Sequence, residues 1–245
     1  MVRHRLDPRL AGLPPGRRIY AVGDVHGHLD RLQRVHDGIR ADLRDRPCGE
    51  AVVVHLGDYI DRGPESAGVV AHLLAGPPAP GVEMVNLMGN HEAMMLAALN
   101  EASPSAVDDW LGNGGVDTLL SWGAPIRSPA RDWARCLPPS HLQFIGGLLP
   151  QWSCEGALFV HAGVRPGVTL AEQSLDDLLW IREPFLRWRG TMLPEAPDML
   201  VVHGHTPSQR PEIKANRLGL DTGAGRGGPL TCAVLEGSEA WFLQG

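Results

Sequence analysis

Five short apolar runs in this chain each end at a glycine-containing turn that carries an acidic, amide or imidazole side chain. The runs cover residues 19–22, 51–56, 82–88, 157–160 and 199–202. Apolar runs of this length between turn residues are typical of buried strands. Because helical patterns separate the first three runs, their order is strand, helix, strand, helix, strand, which favours a parallel sheet.

Helical spacing of apolar residues fills the segments between these strands. Residues 29–43 carry apolar side chains at intervals of three and four, and residues 67–74 follow the second strand. The middle of the chain, about residues 91–149, is predicted to be a helical insertion with helices at 94–99 and 107–122. Later runs predict strands that close a second sheet, at residues 217–220, 231–235 and 240–243. The expected fold class is therefore α/β.

The length of 245 residues and the ordinary composition predict one globular domain, residues 1–245, in which residues 1–16 are an N-terminal extension. A formal charge of −6 gives no general attraction to nucleic acid. The sequence has no apolar stretch typical of a membrane span or a secretion signal, so we expect no membrane partner and a cytoplasmic location. Free thiols are expected at four widely spaced cysteines, Cys48, Cys136, Cys154 and Cys232.

The first turn, residues 23–27, places Asp24 and His26 directly after a strand. Residues two apart in an extended segment project to the same side, and this pair suits a manganese, iron or zinc ion. The next two strands end in Gly-Asp-x-x-Asp-Arg-Gly at residues 57–63 and Gly-Asn-His-Glu at residues 89–92. Sites in open α/β sheets form outside the carboxyl ends of the strands, so these segments are expected to meet in one crevice.

Two later histidines, His161 and His205, also follow strand patterns. Each turn alone has an ordinary explanation, because an aspartate before glycine commonly forms a turn and an asparagine commonly caps a helix. Turn formation does not require histidine at four of the five strand ends. Together the five turns therefore predict a metal centre.

These motifs resemble those of the calcineurin-like metallophosphoesterases, in particular the phosphoprotein phosphatase branch with its bacterial and phage members. The resemblance covers about residues 19–235 and rests on the two complete motifs at residues 57–63 and 89–92. It implies a sandwich of two mixed β-sheets flanked by helices. It also implies two divalent metal ions, with manganese expected and iron or zinc as alternatives.

The resemblance implies a ligand set shared between the two ions: Asp24, His26 and Asp58 for one, and Asp58, Asn90, His161 and His205 for the other. Asp58 would bridge the ions, since a carboxylate has one oxygen for each. His205 is preferred to His203 because the family's ligand follows a glycine. Pro207 stands where broader family members carry a further histidine, so the first ion is expected to have one protein ligand fewer.

His91 resembles the family's general acid, which protonates the leaving alkoxide, and Asp61 would orient its ring. Arg62 and Arg182 resemble the two arginines that grip the phosphoryl group through parallel N–H donors. The alternative for Arg182 is a surface ion pair with one of two nearby carboxylates, Glu183 or Asp177.

Three other residues are expected to have ordinary roles. Trp110 and Trp122 in the insertion are more typical of core anchors than of a substrate platform. Arg226, in the glycine-rich segment 221–228, is expected to be a solvated turn residue. That segment lacks the aromatic residue that eukaryotic relatives place over their active site.

The expected function is a phosphomonoesterase for phosphoserine or phosphothreonine proteins that also acts on small aryl phosphates. One alternative is hydrolysis of dinucleoside polyphosphates such as diadenosine tetraphosphate, although relatives with that activity usually lack an acid at the position of Asp61. The other is an inactive, metal-bound binding module. Such a module would be expected to have lost His91, Asp61 or an arginine, and all of these are present.

Overall fold

The structure, a computed structural model, describes residues 2–100 and 103–245. Met1 of the predicted extension and Glu101 and Ala102 of the predicted insertion lie outside them. The described strands are β1 (His4–Arg5), β2 (Arg17–Val22), β3 (Glu50–His55), β4 (Glu83–Asn86), β5 (Gln151–Cys154), β6 (Ala157–Val160), β7 (Leu200–His203), β8 (Glu212–Ile213), β9 (Arg217–Gly219), β10 (Thr231–Glu236) and β11 (Glu239–Gln244). The helices are α1 (Leu29–Asp45), α2 (Ser66–Leu74), α3 (Asn90–Leu99), α4 (Pro104–Trp110), α5 (Val116–Ser121), α6 (Ala130–Trp133), α7 (Pro139–Gly146) and α8 (Leu175–Trp180).

The first sheet has the strand order β1-β11-β10-β2-β3-β4. As predicted, β2, β3 and β4 run parallel and are connected by α1 and α2. The hairpin of β10 and β11 joins this sheet, because β10 pairs antiparallel with β2 and Cys232 lies opposite Val22. The prediction that these two strands close the second sheet is therefore wrong. A local apolar pattern gives the buried face of a strand but not its partner, which is set by contacts far away in sequence.

The second sheet has the order β5-β6-β7-β9-β8. Its central strands β6, β7 and β9 run parallel, and the edge strands β5 and β8 pair antiparallel. Both sheets are mixed, as predicted, and β9 belongs to the second sheet as predicted. The carboxyl ends of β2, β3, β4, β6 and β7 are the five strand ends at which the sequence places its polar turns.

The two sheets pack face to face through alternate side chains of their strands. One buried apolar cluster joins residues of both sheets: Ile19, Val52, Phe159, Val202 and Leu218. The opposite face of the first sheet packs against α1, α2 and the insertion, and the outer face of the second sheet packs against α8. Each fully buried large apolar side chain contributes roughly 1.5–3 kcal/mol, so the sandwich holds the strand ends in place.

The insertion is helical, as predicted, but the single helix expected at residues 107–122 is divided. A wide turn, Leu111–Gly115, separates α4 from α5, and Gly114 within it has a non-helical φ of 109°. A positive φ is readily adopted only by glycine, so the helix changes direction there. The preceding helix α3 begins at Asn90, earlier than predicted, and this places His91 in its first turn.

None of the described helices is both long and apolar enough to cross a membrane. The predicted cytoplasmic location stays a prediction. The four cysteines carry free thiols, as expected.

Candidate metal centre

All six residues predicted as metal ligands are buried at the carboxyl ends of strands. Asp24 and His26 follow β2, Asp58 follows β3, and Asn90 opens the helix that comes after β4. His161 follows β6 directly, and His205 lies two residues beyond β7. The face-to-face packing of the two sheets therefore brings ligand candidates from both sheets to one end of the sandwich.

The backbone at this end is held in an unusual conformation. Among the described residues, only five that are not glycine have a positive φ, and all five are predicted site residues: His26 (46°), Asp58 (53°), Asp61 (70°), Arg62 (69°) and His205 (64°). This region of φ costs an L-residue roughly 1–2 kcal/mol. Such strain persists only where the surrounding structure imposes it, and it concentrates at functional sites.

A first group of donor atoms consists of His26, Asp58 and His91, whose atoms lie within 4.8 Å of one another. Asp58 Oδ2 is 3.6 Å from His26 Nε2 and 3.9 Å from His91 Nε2. His26 Nδ1 lies 3.0 Å from the carbonyl oxygen of Ile60 and donates to it. This bond fixes the tautomer, so the lone pair of Nε2 points toward Asp58.

A second group shares Asp58 and adds His161 and His205. Asp58 Oδ1 lies 3.4 Å from His161 Nε2. Asn90 Oδ1 lies 2.9 Å from His161 Nε2 and 2.9 Å from His205 Nδ1, so the amide oxygen belongs to the same cluster. His161 Nδ1 is 2.8 Å from the carbonyl oxygen of Leu56, which again leaves Nε2 directed inward. Imidazole, carboxylate and amide oxygen are all accepted ligands of divalent transition ions.

Asp24 is close to both groups but belongs to neither. Its carboxylate accepts the backbone N–H of His205 at 3.0 and 3.2 Å. A Cβ on Gly204 would clash with Asp24 Oδ1, so glycine is required there for the close approach. Burial, together with the nearby carboxylates of Asp221 and Asp58, raises the pKa of Asp24. An added cation would remove that repulsion.

The electrostatics of the two groups suit cations. Burial lowers the pKa of His26 to about 3 and that of His205 to about 3, so both imidazoles are neutral near pH 7 and have a lone pair to offer. Burial opposes ionisation of Asp58, but the surrounding imidazoles, His161 and His91 first, outweigh it and lower the pKa of the carboxyl. The donor set therefore fits two divalent ions that share one carboxylate.

His91 differs from the other imidazoles because its Nδ1 lies 2.7 Å from Asp61 Oδ2. Burial works against the charged form of His91, but the carboxylates of Asp58 and Asp61 outweigh it and raise the pKa. A ring with a raised pKa and a bonded carboxylate is suited to carry a proton. His91 is therefore a member of the first donor group that also has a carboxylate partner of its own.

Two residues of the insertion, which the sequence did not assign to the site, hold Asp61. Thr118 Oγ1 donates to Asp61 Oδ1 at 2.6 Å, and Trp110 Nε1 lies 3.1 Å from each carboxylate oxygen. Trp110 is fully buried, as expected of a core anchor. The sequence contains one indication of this contact: Trp110 was expected to be buried, and a buried indole N–H requires a hydrogen-bond acceptor.

Each donor group has one arginine directed at it. Arg62 donates to His26 Nε2 at 2.7 Å and to His91 Nε2 at 2.9 Å. Arg182 donates from Nε to His205 Nε2 at 3.2 Å. The alternative surface ion pairs for Arg182 are not formed, since the two carboxylates bind other arginines: Asp177 binds Arg165 and Glu183 binds Arg187.

Other candidates are placed elsewhere. His203 lies within β7, where its ring nitrogens contact Arg217 and the carbonyl oxygen of Gly204, so it is a buried strand residue. Arg226 is exposed in its turn, as expected.

Glu92, to which no role was assigned from the sequence, holds the loops of the site together. Its carboxylate accepts four backbone N–H groups in those loops, from Asp58, Tyr59, Ile60 and Gly89.

Comparison with known proteins gives matches over most of the chain. The model of the calcineurin-like phosphoesterase family matches residues 17–227. The chain is 32% identical to serine/threonine-protein phosphatase 1 of Salmonella typhimurium over 233 residues, 90% of this chain and 93% of that protein. It is 31% identical to a symmetrical bis(5'-nucleosyl)-tetraphosphatase of Paracidovorax citrulli over 192 residues, 78% of this chain and 58% of that protein. The cold-active protein-tyrosine phosphatase of a psychrophilic Shewanella has a similar fold, with a TM-score of 0.64, 16% identity, and coverage of 98% of this chain and 85% of that one.

Proposed function

The chain belongs to the calcineurin-like phosphoesterase family, and from that premise we propose that it is a protein serine/threonine phosphatase. As a metallophosphoesterase, it is a hydrolase of phosphoesters. The proposed substrate is a phosphomonoester of serine or threonine in a protein, with small aryl phosphates as additional substrates. The similarity to the Salmonella phosphatase over nearly the whole of both chains supports this choice.

We further propose how the buried residues divide between two ions, with manganese as the preferred metal. Asp58 would serve both ions. The remaining ligands would be Asp24 and His26 for one ion and Asn90, His161 and His205 for the other. The metal pair would supply Lewis-acid polarisation of the phosphoester and activation of the attacking water.

The observation that carries the proposal is the position of Asp58. This one carboxylate lies within reach of two separate sets of imidazoles, and each set has an arginine beside it. A site for structural metal does not require arginines aimed at the ligands. A site for a phosphoryl group does, because guanidinium groups bind its oxygens and stabilise the charge that develops in the transition state.

His91 and Asp61 favour a monoester substrate over a polyphosphate. A serine or threonine alkoxide is strongly basic and leaves readily only when it receives a proton, whereas a nucleotide phosphate leaves as a stable anion. A general acid is therefore of most use for the monoester. To act as the acid, His91 must carry a proton on Nε2, so Arg62 has to move from that nitrogen to the phosphate when substrate binds.

Hydrolysis of dinucleoside polyphosphates is the second candidate. The observation in its favour is the similarity to a bis(5'-nucleosyl)-tetraphosphatase, which extends over 78% of this chain. The inactive binding module is disfavoured by the bonded His91–Asp61 pair and by the two arginines at the donor groups.

Three substrates separate these functions: a phosphoserine peptide, an aryl phosphate and diadenosine tetraphosphate. Each is incubated with metal-stripped protein, with and without added manganese. We expect manganese-dependent release of phosphate from the peptide and the aryl phosphate. Cleavage of the dinucleotide alone would assign the chain to nucleotide turnover, and no activity on any substrate would favour the binding module.

A further inference from the structure

An open depression of ≈ 470 Å³ lies beside Arg62, on the side of the site that is built by the insertion. Its lining residues are Arg62, Gly112, Asn113, Gly114 and Asp117. The guanidinium of Arg62 also contacts both imidazoles of the first donor group. A phosphoester bound at the site would therefore have this depression next to it.

The wall of the depression is fixed relative to Arg62. The backbone N–H of Arg62 donates to the carbonyl oxygen of Gly114 at 3.3 Å. A Cβ on Gly114 would lie 2.8 Å from the backbone nitrogen of Arg62 and 2.9 Å from its Cγ, so only glycine permits the contact. The insertion and the arginine thus form one surface.

The two walls carry opposite chemistry. Asp117 is half-buried, and its carboxylate has no hydrogen bond or ion pair with any other described residue. Asn113 uses its Nδ2 on the carbonyl oxygen of Asp109 at 2.8 Å, which leaves Oδ1 as an acceptor. The insertion side therefore offers acceptors and a negative charge, whereas Arg62 offers donors and a positive charge.

We propose that this depression is a subsite for a lysine or arginine side chain next to the phosphorylated residue of the substrate. Arg62 binds the phosphate and Asp117 binds the cationic side chain beside it. A phosphopeptide with a basic residue next to the phosphorylated one therefore matches the charges of both walls. This inference rests on the proposed protein phosphatase function and names the class of peptide it prefers. It also gives a role to a carboxylate that has no partner among the described residues.

The test uses two phosphoserine peptides that differ only in lysine or alanine beside the phosphoserine. Wild-type, manganese-loaded protein is compared with Asp117→Asn, Asp117→Lys and Asp108→Lys, and the ratio of kcat/KM for the two peptides is measured. Asp108 is the matched control, because it is an exposed acid of the same insertion outside the depression. A second series at high salt separates charge attraction from other effects.

We expect the wild-type protein to prefer the lysine peptide. Asp117→Asn should lower the lysine-to-alanine ratio about threefold to fivefold, the size typical of a partly exposed ion pair. Asp117→Lys should lower it further, Asp108→Lys should leave the ratio at the wild-type value, and high salt should weaken the wild-type preference.

Two results would overturn the inference. A ratio that does not respond to either Asp117 variant, or that falls equally in Asp108→Lys, would remove the subsite and leave the phosphatase function intact. Hydrolysis of an aryl phosphate without hydrolysis of either peptide by the wild-type protein would remove the proposed function, and the subsite with it.

Discussion

The chain has two groups of largely buried histidines, one at the metal centre and one that includes His55 at the end of β3, and the two groups use their nitrogens in different ways. At the metal centre, His26 and His161 each donate Nδ1 to a backbone carbonyl, and Nε2 of each faces Asp58. The rings are thus oriented by the backbone, and Nε2 of each is turned toward the same carboxylate.

The second group consists of His36, His55 and His72, which bind one another. His36 Nε2 lies 3.0 Å from His55 Nε2, and His36 Nδ1 lies 3.0 Å from His72 Nε2. Both nitrogens of the middle ring are used within the group, and no carboxylate among the described residues is bonded to any of the three rings. This arrangement leaves neither nitrogen of His36 available for a metal ion.

Both groups contain histidines whose pKa is lowered by burial. Burial lowers the pKa of His36 to about 2 and that of His55 to about 4, comparable with about 3 for His26. A perturbed pKa therefore does not identify the functional group of histidines in this protein. The orientation of several imidazole nitrogens toward one shared carboxylate does.

The sharpest test of this comparison is Asp58→Ala. The substitution removes the carboxylate common to both donor groups, and we expect kcat/KM for an aryl phosphate to fall on the order of 10⁴-fold with loss of bound metal. Metal content is measured by mass spectrometry. His55→Gln, at the end of the same strand, is the control and should keep both metal and activity. An Asp58→Ala protein that retains both would refute the shared role.

His91→Ala tests the one imidazole of the site that is paired with a carboxylate. We expect kcat/KM for a phosphoserine peptide to fall about 10²- to 10³-fold, because the leaving alkoxide no longer receives a proton. The loss should be much smaller for nitrophenyl phosphate, whose leaving group is weakly basic. Equal losses on both substrates, or loss of bound metal, would show that His91 acts as a ligand. His72→Ala, in the other histidine group, should leave both rates unchanged.

His36→Gln tests the second group through stability. An unfolded histidine binds its proton near pH 6.5, whereas burial holds the folded pKa of His36 at about 2. The contribution of this neutral ring is therefore complete above pH 6.5 and is lost as pH falls from there toward 2. Between pH 6 and 4, the free energy of unfolding of the wild-type protein should fall by roughly 1.4 kcal/mol more per pH unit than that of His36→Gln. Urea unfolding at several pH values measures the difference, and parallel pH profiles would contradict it.

Trp110→Phe gives the smallest expected effect. The ring is kept, but Asp61 loses the indole N–H that lies 3.1 Å from both of its oxygens. We expect kcat/KM for a phosphoserine peptide to fall about threefold to tenfold, the size expected for loss of one ordinary hydrogen bond, because Thr118 still donates to Asp61. Trp122→Phe is the control, since its N–H bonds His141 instead. An unchanged rate in Trp110→Phe would mean that Thr118 alone holds Asp61.

The sequence predicted the parts of this site that depend on local order. A polar residue directly after a buried strand must lie at the end of a sheet, and this placed His26, Asp58 and His161 correctly. It did not predict that β10 and β11 join the first sheet, because a strand pattern carries no information about the pairing partner. The assignment of each ligand to an ion stays a prediction.

Contacts between residues that are distant in sequence were also missed. The three histidines of the second group come from α1, β3 and α2. In the sequence each occupies a position in a regular helix or strand pattern, and nothing links one to another. The bond from Thr118 to Asp61 spans 57 positions and depends on the change of helix direction at Gly114. Such contacts follow from packing geometry, which no motif records.

The position of Asp58 in both donor groups also has a thermodynamic consequence. Two ions that share a carboxylate would not bind independently, because each changes the charge and position of the carboxylate that the other uses. Such coupling is reciprocal, so the factor by which the first ion changes the affinity for the second equals the factor in the opposite direction. Binding of the two ions would then be cooperative, with either positive or negative cooperativity. The affinity of the empty centre for its first ion would differ from the affinity of the half-filled centre for its second.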